Sequence, residues 1–189
     1  DVCSSDLFVW REKWDKVLEW DFEKPEIKWF EGARFNITEN CLDRYLPMRK
    51  DKTAILFEPN NPEEAAEYIT YSQLHERVCR MANVLMEGGV GKGDRVCIYL
   101  PMIPELAISV LACARIGAIH SVVFAGFSSS ALAARINDCD AHCVITSDGS
   151  FRGDKVIDLK GVVDQALNEC SGVKTVYVVR RTGSEIDME

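Results

Sequence analysis

The apolar residues in the second half of the chain fall into short runs with amphipathic stretches between them. The continuous apolar runs predict buried strands over residues 95–100, 120–124, 142–147 and 174–179. The stretches with apolar residues three and four apart predict helices over residues 104–116, 128–136 and 159–168. Strands and helices that alternate at this spacing form parallel pairs through right-handed crossovers. The pattern predicts an α/β fold, a mostly parallel sheet with helices on both faces.

A strand pair and a long helix are predicted before this alternation. Residues 53–59 form one strand and residues 67–69 its short partner. Thr70 and Gln73 have the spacing of a capping box, and Gly88 with Gly89 ends the helix that Thr70 opens.

Residues 8–50 have a different, aromatic texture and contain all four tryptophans. Trp10, Trp14 and Leu18 are spaced four apart, which predicts one apolar helical face. The residues after them predict extended chain with turns. Such a segment is too short for its own core, so we expect residues 8–50 to be an irregular arm on a larger body and residues 51–189 to be an incomplete α/β domain.

Both ends of the sequence depart from this organisation. Residues 1–7, "DVCSSDL", have no strand or helix period. Their back-translation, GAC GTG TGC TCT TCC GAT CTN, resembles a sequencing-library adaptor, so we expect them to be non-native. The last residues stop just after a predicted strand, from which we expect a fragment of a longer protein.

Composition narrows the class of protein. Hydrophobic residues make up 47% and charged residues 28% of the chain, and the net charge is −8. This balance disfavours nucleic acid or an anionic membrane as a partner but allows a small anionic ligand. No apolar run reaches the roughly 18 residues of a membrane span. Eight cysteines without a CxxC motif indicate reduced, largely buried thiols and a cytoplasmic location.

Two predicted turns are candidate ligand sites. "FAGFSSS", residues 124–130, follows a strand and opens a helix, whose N-terminus suits an anion. A plain connection with a serine N-cap explains the same residues. Residues 147–160 place Arg152 and Lys155 three apart in a glycine-containing turn, where two cations can hold a phosphate or simply face solvent.

Other chemistry has little support in the sequence. Neither GxGxxG nor a Walker motif occurs. His142 and Cys143 are adjacent and would face opposite sides of a strand, so no metal site is predicted. His75 and His120 have no nucleophile at a suitable spacing, and no catalytic residue is assigned.

Three segments together carry a family resemblance that covers residues 8–183. They read "EKPEIKWFEGARFNITENCLDRYL", "YLPMIPELAISVLACARIGAIHSVVFAGFSSSALAARI" and "SDGSFRGDKVIDLK". These residues resemble the acetyl-CoA synthetase (acetate–CoA ligase) family of the AMP-forming adenylating (ANL) superfamily. The resemblance implies the first part of the large N-terminal domain of an adenylate-forming ligase. It also implies two steps: acetate and Mg-ATP give acetyl-adenylate and pyrophosphate, and coenzyme A then gives acetyl-CoA and AMP.

The resemblance also implies site residues for the nucleotide part of coenzyme A. One set is Phe124, Ala125 and Gly126. The other set is the basic turn Arg152, Gly153, Asp154 and Lys155. The family usually has glycine in place of Ala125, and Lys155 keeps a charge but lacks the arginine fork. We expect these two bends to lie at the ends of neighbouring parallel strands and to hold one ligand jointly.

The resemblance places the remaining chemistry beyond residue 189. The residues that bind ATP, Mg²⁺ and acetate are expected there, so we expect the isolated chain to be inactive. Two alternatives stay open: a ligase for a related acid such as propionate, and a non-catalytic nucleotide-binding α/β module. The sequence predicts no oligomeric state.

Overall fold

The first elements of the fold form a small aromatic arm. The computed structural model describes residues 7–188. Strands β1 (Lys16–Asp21) and β2 (Glu26–Glu31) form an antiparallel hairpin. Short helices α1 (Ile37–Cys41) and α2 (Leu46–Arg49) follow, joined by a 3₁₀ turn at Asp43–Tyr45. We expect residues 1–7 to be non-native. Except for Leu7, these residues lie outside the described part of the chain.

The predicted helical face of Trp10, Trp14 and Leu18 is wrong. Trp10 and Trp14 lie in irregular chain before β1, and Leu18 is paired with Trp29 across the hairpin. The rings of Trp10 and Trp14 pack edge to face with centroids 5.3 Å apart, and both contact Phe30. Aromatic side chains favour paired strands, where ring contacts across the hairpin replace contacts along a helix.

The strand pair and capped helix after the arm agree with the sequence. Strands β3 (Thr53–Phe57) and β4 (Glu67–Thr70) are antiparallel, and helix α3 (Tyr71–Glu87) follows. Thr70 and Gln73 form the predicted capping box. The box satisfies two backbone donors at the start of α3, which sets the point where the strand becomes a helix.

The alternating elements build a parallel sheet, as predicted. In chain order they are β5 (Arg95–Ile98), α4 (Pro104–Ile116), β6 (Ile119–Val122), α5 (Ser129–Asp138), β7 (Cys143–Ser147), β8 (Gly149–Arg152), β9 (Lys155–Asp158), α6 (Leu159–Leu167) and β10 (Thr175–Val179). The main sheet has the order β10-β7-β5-β6 with every pair parallel. Strands β8 and β9 form a separate antiparallel hairpin.

The sheet is covered on both faces, which confirms the predicted layers. Val96 and Ile98 belong to a core cluster with residues of α3 and α4. Cys97 and Tyr99 point the other way, into a cluster with residues of α5 and α6. Alternate residues of one strand thus supply both cores. Among residues 7–188, no helix has the length and apolar character to cross a bilayer.

Candidate functional site

The main concavity lies at the carboxyl ends of the parallel strands. This cleft of about 770 Å³ receives residues from the segments that follow β3, β5, β6 and β10, and from the β8–β9 hairpin. In open parallel sheets, the carboxyl ends are where ligands bind, because the connecting loops and helix N-termini converge there. We call this concavity the carboxyl-end cleft.

The turn after β6 forms one wall of the carboxyl-end cleft. Phe124, Ala125 and Gly126 all line it, and the Phe124 ring is 69% exposed. The turn is held from below, because the buried Tyr99 donates its hydroxyl hydrogen to the Phe127 carbonyl at 2.8 Å. Its position next to the N-terminus of α5 adds a partial positive charge to this wall.

Two small residues of the turn after β6 leave room for the Phe124 ring and for the core beneath it. A Cβ at Gly126 would lie only 2.4 Å from a ring carbon of Phe124, so the ring occupies the space that a side chain would need. The Ala125 methyl packs against the core cluster of α5 and α6 while the residue also lines the cleft. This wall therefore combines an exposed ring with closely approachable backbone.

The cationic segment is a β-hairpin, where the sequence predicted only a turn. Arg152 pairs with Lys155 at the end of the β8–β9 ladder, and Gly153 has a φ of 58°. A two-residue Gly-Asp connection between strands is typical of hairpin turns that need a positive φ at the first position. Rigid strands thus replace a flexible loop around the candidate phosphate-binding cation.

The predicted site residues divide between two clefts. Arg152 lines the carboxyl-end cleft together with the turn after β6. Gly153 and Asp154 line an adjoining cleft of about 430 Å³. Lys155 lies opposite Arg152 in the hairpin but is not among the residues that line either cleft. The structure therefore brings Phe124, Ala125, Gly126 and Arg152 together and leaves Lys155 apart.

The expectation that the two bends follow neighbouring strands is wrong. Strand β5 lies between β6 and β7, so the bends are separated by one strand at the sheet edge. The β8–β9 hairpin and the turn after β6 nevertheless line one cleft, together with the segment that follows β5. Strand order depends on long-range packing and cannot be read from the order of elements in the chain.

Sequence reasoning missed Arg181, which lines both clefts. Its guanidinium carbon lies 5.5 Å from the ring centroid of Phe57 and 5.3 Å from that of Phe151. Its place in the chain could have indicated this role. Arg181 follows β10 as Arg152 follows β7, and the carboxyl ends of these two parallel strands lie at the same edge of the sheet.

The three buried cysteines are poor candidates for catalysis. Burial raises the pKa of the thiols of Cys97, Cys113 and Cys143 to about 12, so they are protonated at neutral pH. Within residues 7–188, no three His, Cys, Asp or Glu side chains are grouped as metal ligands.

Two family models match consecutive parts of the chain. The model of the acetyl-coenzyme A synthetase N-terminus matches residues 3–41. The model of the AMP-binding enzyme family matches residues 42–187. The boundary between the two models falls inside the arm, between α1 and the 3₁₀ turn.

Relatives of known name are similar over almost the whole chain. An acetyl-coenzyme A synthetase of Alkalilimnicola ehrlichii is 56% identical over 94% of this chain. Another, of Halorhodospira halophila, is 55% identical over 96% of this chain. The solved acetoacetyl-CoA synthetase of Streptomyces lividans is 26% identical, with a TM-score of 0.89 over 97% of this chain and 28% of its own.

The chain spans 27–28% of the length of these curated relatives. The matched portion nevertheless includes the arm, the parallel sheet and the carboxyl-end cleft. Since the AMP-binding model covers more than half of the chain, the chain belongs to the AMP-binding enzyme family, in which it is similar to the acetyl-coenzyme A synthetases.

Proposed function

We propose that the chain is part of a ligase that activates acetate with ATP and then transfers the acetyl group to coenzyme A. The two family models in consecutive order and the relatives at about 55% identity support this activity. Acetate attack on the α-phosphorus gives acetyl-adenylate and pyrophosphate. Attack of the coenzyme A thiol on the acyl carbon then releases AMP and gives acetyl-CoA. We assign no catalytic residue to residues 7–188.

In this proposal the carboxyl-end cleft takes the nucleotide part of coenzyme A. The observation that carries the assignment is that the turn after β6 and Arg152 line one cleft. The exposed Phe124 ring offers a face for a base, and the backbone around Gly126 can be approached closely. No described carboxylate lies within ion-pair distance of Arg152, so its guanidinium is available to a phosphate. ATP and Mg²⁺ are assigned to parts outside this chain.

The identity of the acid is a separate part of the proposal. A protein named for acetoacetate shares this fold over 97% of the chain, so this region is common to ligases of different acids. The proposal that the acid is acetate rests on the names of the more similar relatives. Pyrophosphate exchange by the full-length protein, measured with acetate and with propionate, distinguishes the two acids by their kcat/KM.

Arg152→Ala in the full-length protein tests the assignment of the cleft. Loss of a charged phosphate contact costs about 1.5–3 kcal/mol, which raises the KM for coenzyme A roughly 10- to 150-fold. Acetate-dependent ATP–pyrophosphate exchange is expected to stay within about twofold, because it precedes coenzyme A attack. The matched control is Arg180→Ala, an exposed arginine outside both clefts. A loss of exchange with a normal coenzyme A dependence contradicts the assignment.

Cytoplasmic location and an exclusively small-molecule set of partners stay predictions.

A further inference from the structure

Arg181 is a cation placed where a ligand can reach it from two sides. It lines the carboxyl-end cleft together with Arg152, and the adjoining cleft together with Gly153 and Asp154. Among residues 7–188, its side chain has no hydrogen bond and no carboxylate within 4 Å, although Glu58 also lines the larger cleft. By contrast, most ion-paired arginines of this chain lie on the helices and on the arm.

Two aromatic rings hold the Arg181 guanidinium in the cleft. Phe57 comes from the end of β3 and Phe151 from β8, and each ring centroid lies within 5.5 Å of the guanidinium carbon. Cation–π contacts of this kind leave the N–H groups at the edge of the guanidinium plane free to donate. A side chain that is already ordered loses less conformational entropy when it binds a ligand.

A buried carboxylate is hydrogen-bonded to the backbone of both segments that carry the cleft arginines. Asp148 is 1% exposed and accepts hydrogen bonds from the backbone N–H groups of Arg181 and Gly183, each at 2.7 Å. It accepts another from Gly149 at 2.8 Å, at the start of the hairpin that carries Arg152. A Cβ at Gly149 would lie 2.9 Å from the Thr182 hydroxyl oxygen, so only glycine allows this approach. Asp148 thus couples the positions of the two arginines.

Two fixed arginines on different segments suit a ligand that carries phosphate at two positions. A single phosphate can satisfy one guanidinium fork, whereas Arg152 and Arg181 reach the cleft from the hairpin and from the segment after β10. The nucleotide part of coenzyme A has this chemistry, with phosphate on the 3′ and 5′ positions of its ribose. We propose that Arg181 is a second phosphate-binding residue of the coenzyme A nucleotide site and that Asp148 is its positioning residue. This inference rests on the proposed function.

Direct binding of a nucleotide fragment tests the inference without catalysis. The probe is adenosine 3′,5′-bisphosphate, titrated calorimetrically into the full-length protein. Arg181→Ala is expected to raise the Kd at least fivefold, since it removes one charge-assisted contact. Arg181→Lys is expected to fall between this variant and the unmodified protein, because the charge remains while the fork and the ring stacking are lost. Arg180→Ala, with the same loss of charge one residue away, is expected to stay within twofold.

The outcomes separate this inference from the proposed function. If Arg181→Ala binds the probe as tightly as the unmodified protein, or if Arg180→Ala weakens it equally, Arg181 is not a phosphate-binding residue. Absence of probe binding to the unmodified protein also overturns the inference. If the protein binds the probe through Arg181 but forms no acetyl-CoA, the proposed activity fails, whereas the assignment of Arg181 as a phosphate-binding residue stands. Thermal unfolding of each variant identifies any rise in Kd that comes from misfolding.

Discussion

At the scale of single residues, the spacing between backbone and ring at the turn after β6 decides which side chains are tolerated. Gly126 is close to the exposed Phe124 ring, and Ala125 is anchored on the core beneath the cleft. The Phe124 ring is exposed, so its displacement would not open the core. Changes at Gly126 should act on ligand binding more than on stability.

We predict that Gly126→Ala raises the KM of the full-length protein for coenzyme A severalfold. The new methyl would lie 2.4 Å from the Phe124 ring and must displace it. The free energy of unfolding should change by less than about 0.5–1 kcal/mol, because the ring is exposed. Gly91→Ala serves as the control, since its Cβ would meet only the Asp94 carboxylate at 3.7 Å. Equal effects of the two variants on KM would contradict a role for the turn.

At the scale of elements, the sequence predicts what local chemistry determines. Pro104 opens α4, and Gly117, in the left-handed conformation with a φ of 77°, ends it, so both ends of this helix are set by neighbouring residues. The Thr70 capping box is equally local. Helix bounds are accordingly close to those observed. The sequence predicted a turn where the β8–β9 hairpin lies, although Gly153 and Asp154 provide the two-residue connection of a hairpin.

Contacts between distant elements were beyond the reach of sequence patterns. The order β10-β7-β5-β6 depends on contacts between strands that are distant in the chain, and Arg181 contacts Phe57, which precedes it by 124 residues. No periodicity encodes which strand lies at an edge. The sequence therefore predicted the candidate site as two separate bends. The contribution of Arg181 to the same cleft is seen only in the three-dimensional structure.

The hydrogen bonds of Asp148 join three elements and predict a pH-dependent stability. Burial alone would raise the pKa of its carboxyl, but the backbone N–H groups of residues 181–183 and of Gly149 outweigh burial and lower this pKa below the usual value. A lowered pKa in the folded state stabilises the fold above the unfolded pKa of about 4. This stabilisation disappears as the pH falls through the folded-state pKa.

Asp148→Asn should therefore lower the free energy of unfolding of the chain by about 1.5–3 kcal/mol at pH 7. The difference from the unmodified chain should begin to shrink as the pH falls below about 4, where the unfolded chain takes up the proton. It should be smallest below the folded-state pKa, where the carboxyl is neutral in both states. Urea unfolding of both chains at several pH values measures this difference in the free energy of unfolding. Asp154→Asn, in the exposed hairpin turn, should show little change at any pH. A difference that stays constant with pH would show that lost packing, not charge, is responsible.

At the scale of the whole molecule, a polar cluster joins the arm to the α/β body beside Leu42, an arm residue that is buried in the core. Asp43 in the arm accepts hydrogen bonds from Arg115 of α4 at 2.8 and 3.2 Å and lies 2.8 Å from His75 of α3. Asn36 donates to the carbonyls of Ala114 and Arg115 at the end of α4, at 3.3 and 3.0 Å. The cluster thus ties the arm to two helices of the same core layer.

We predict that Asp43→Ala detaches the arm before the body unfolds. The change leaves Arg115 and His75 without their carboxylate in a site where their side chains are only 22% and 30% exposed. The cost is about 1.5–3 kcal/mol, within the range for hydrogen bonds to charged groups. All four tryptophans lie in the arm, so tryptophan emission reports its release, whereas far-ultraviolet circular dichroism reports the helices of the body.

In urea, the emission transition of Asp43→Ala should therefore precede the dichroism transition, while the two coincide in the unmodified chain. Glu76→Ala is the matched control. It removes an ion pair with Arg80 whose side chains are 59% and 76% exposed, and it should cost no more than about 0.5 kcal/mol without separating the two probes. If the transitions of Asp43→Ala remain coincident, the apolar contacts of the arm with the body, Leu42 in the core and Tyr45 against Tyr71, suffice to hold the arm without the polar cluster.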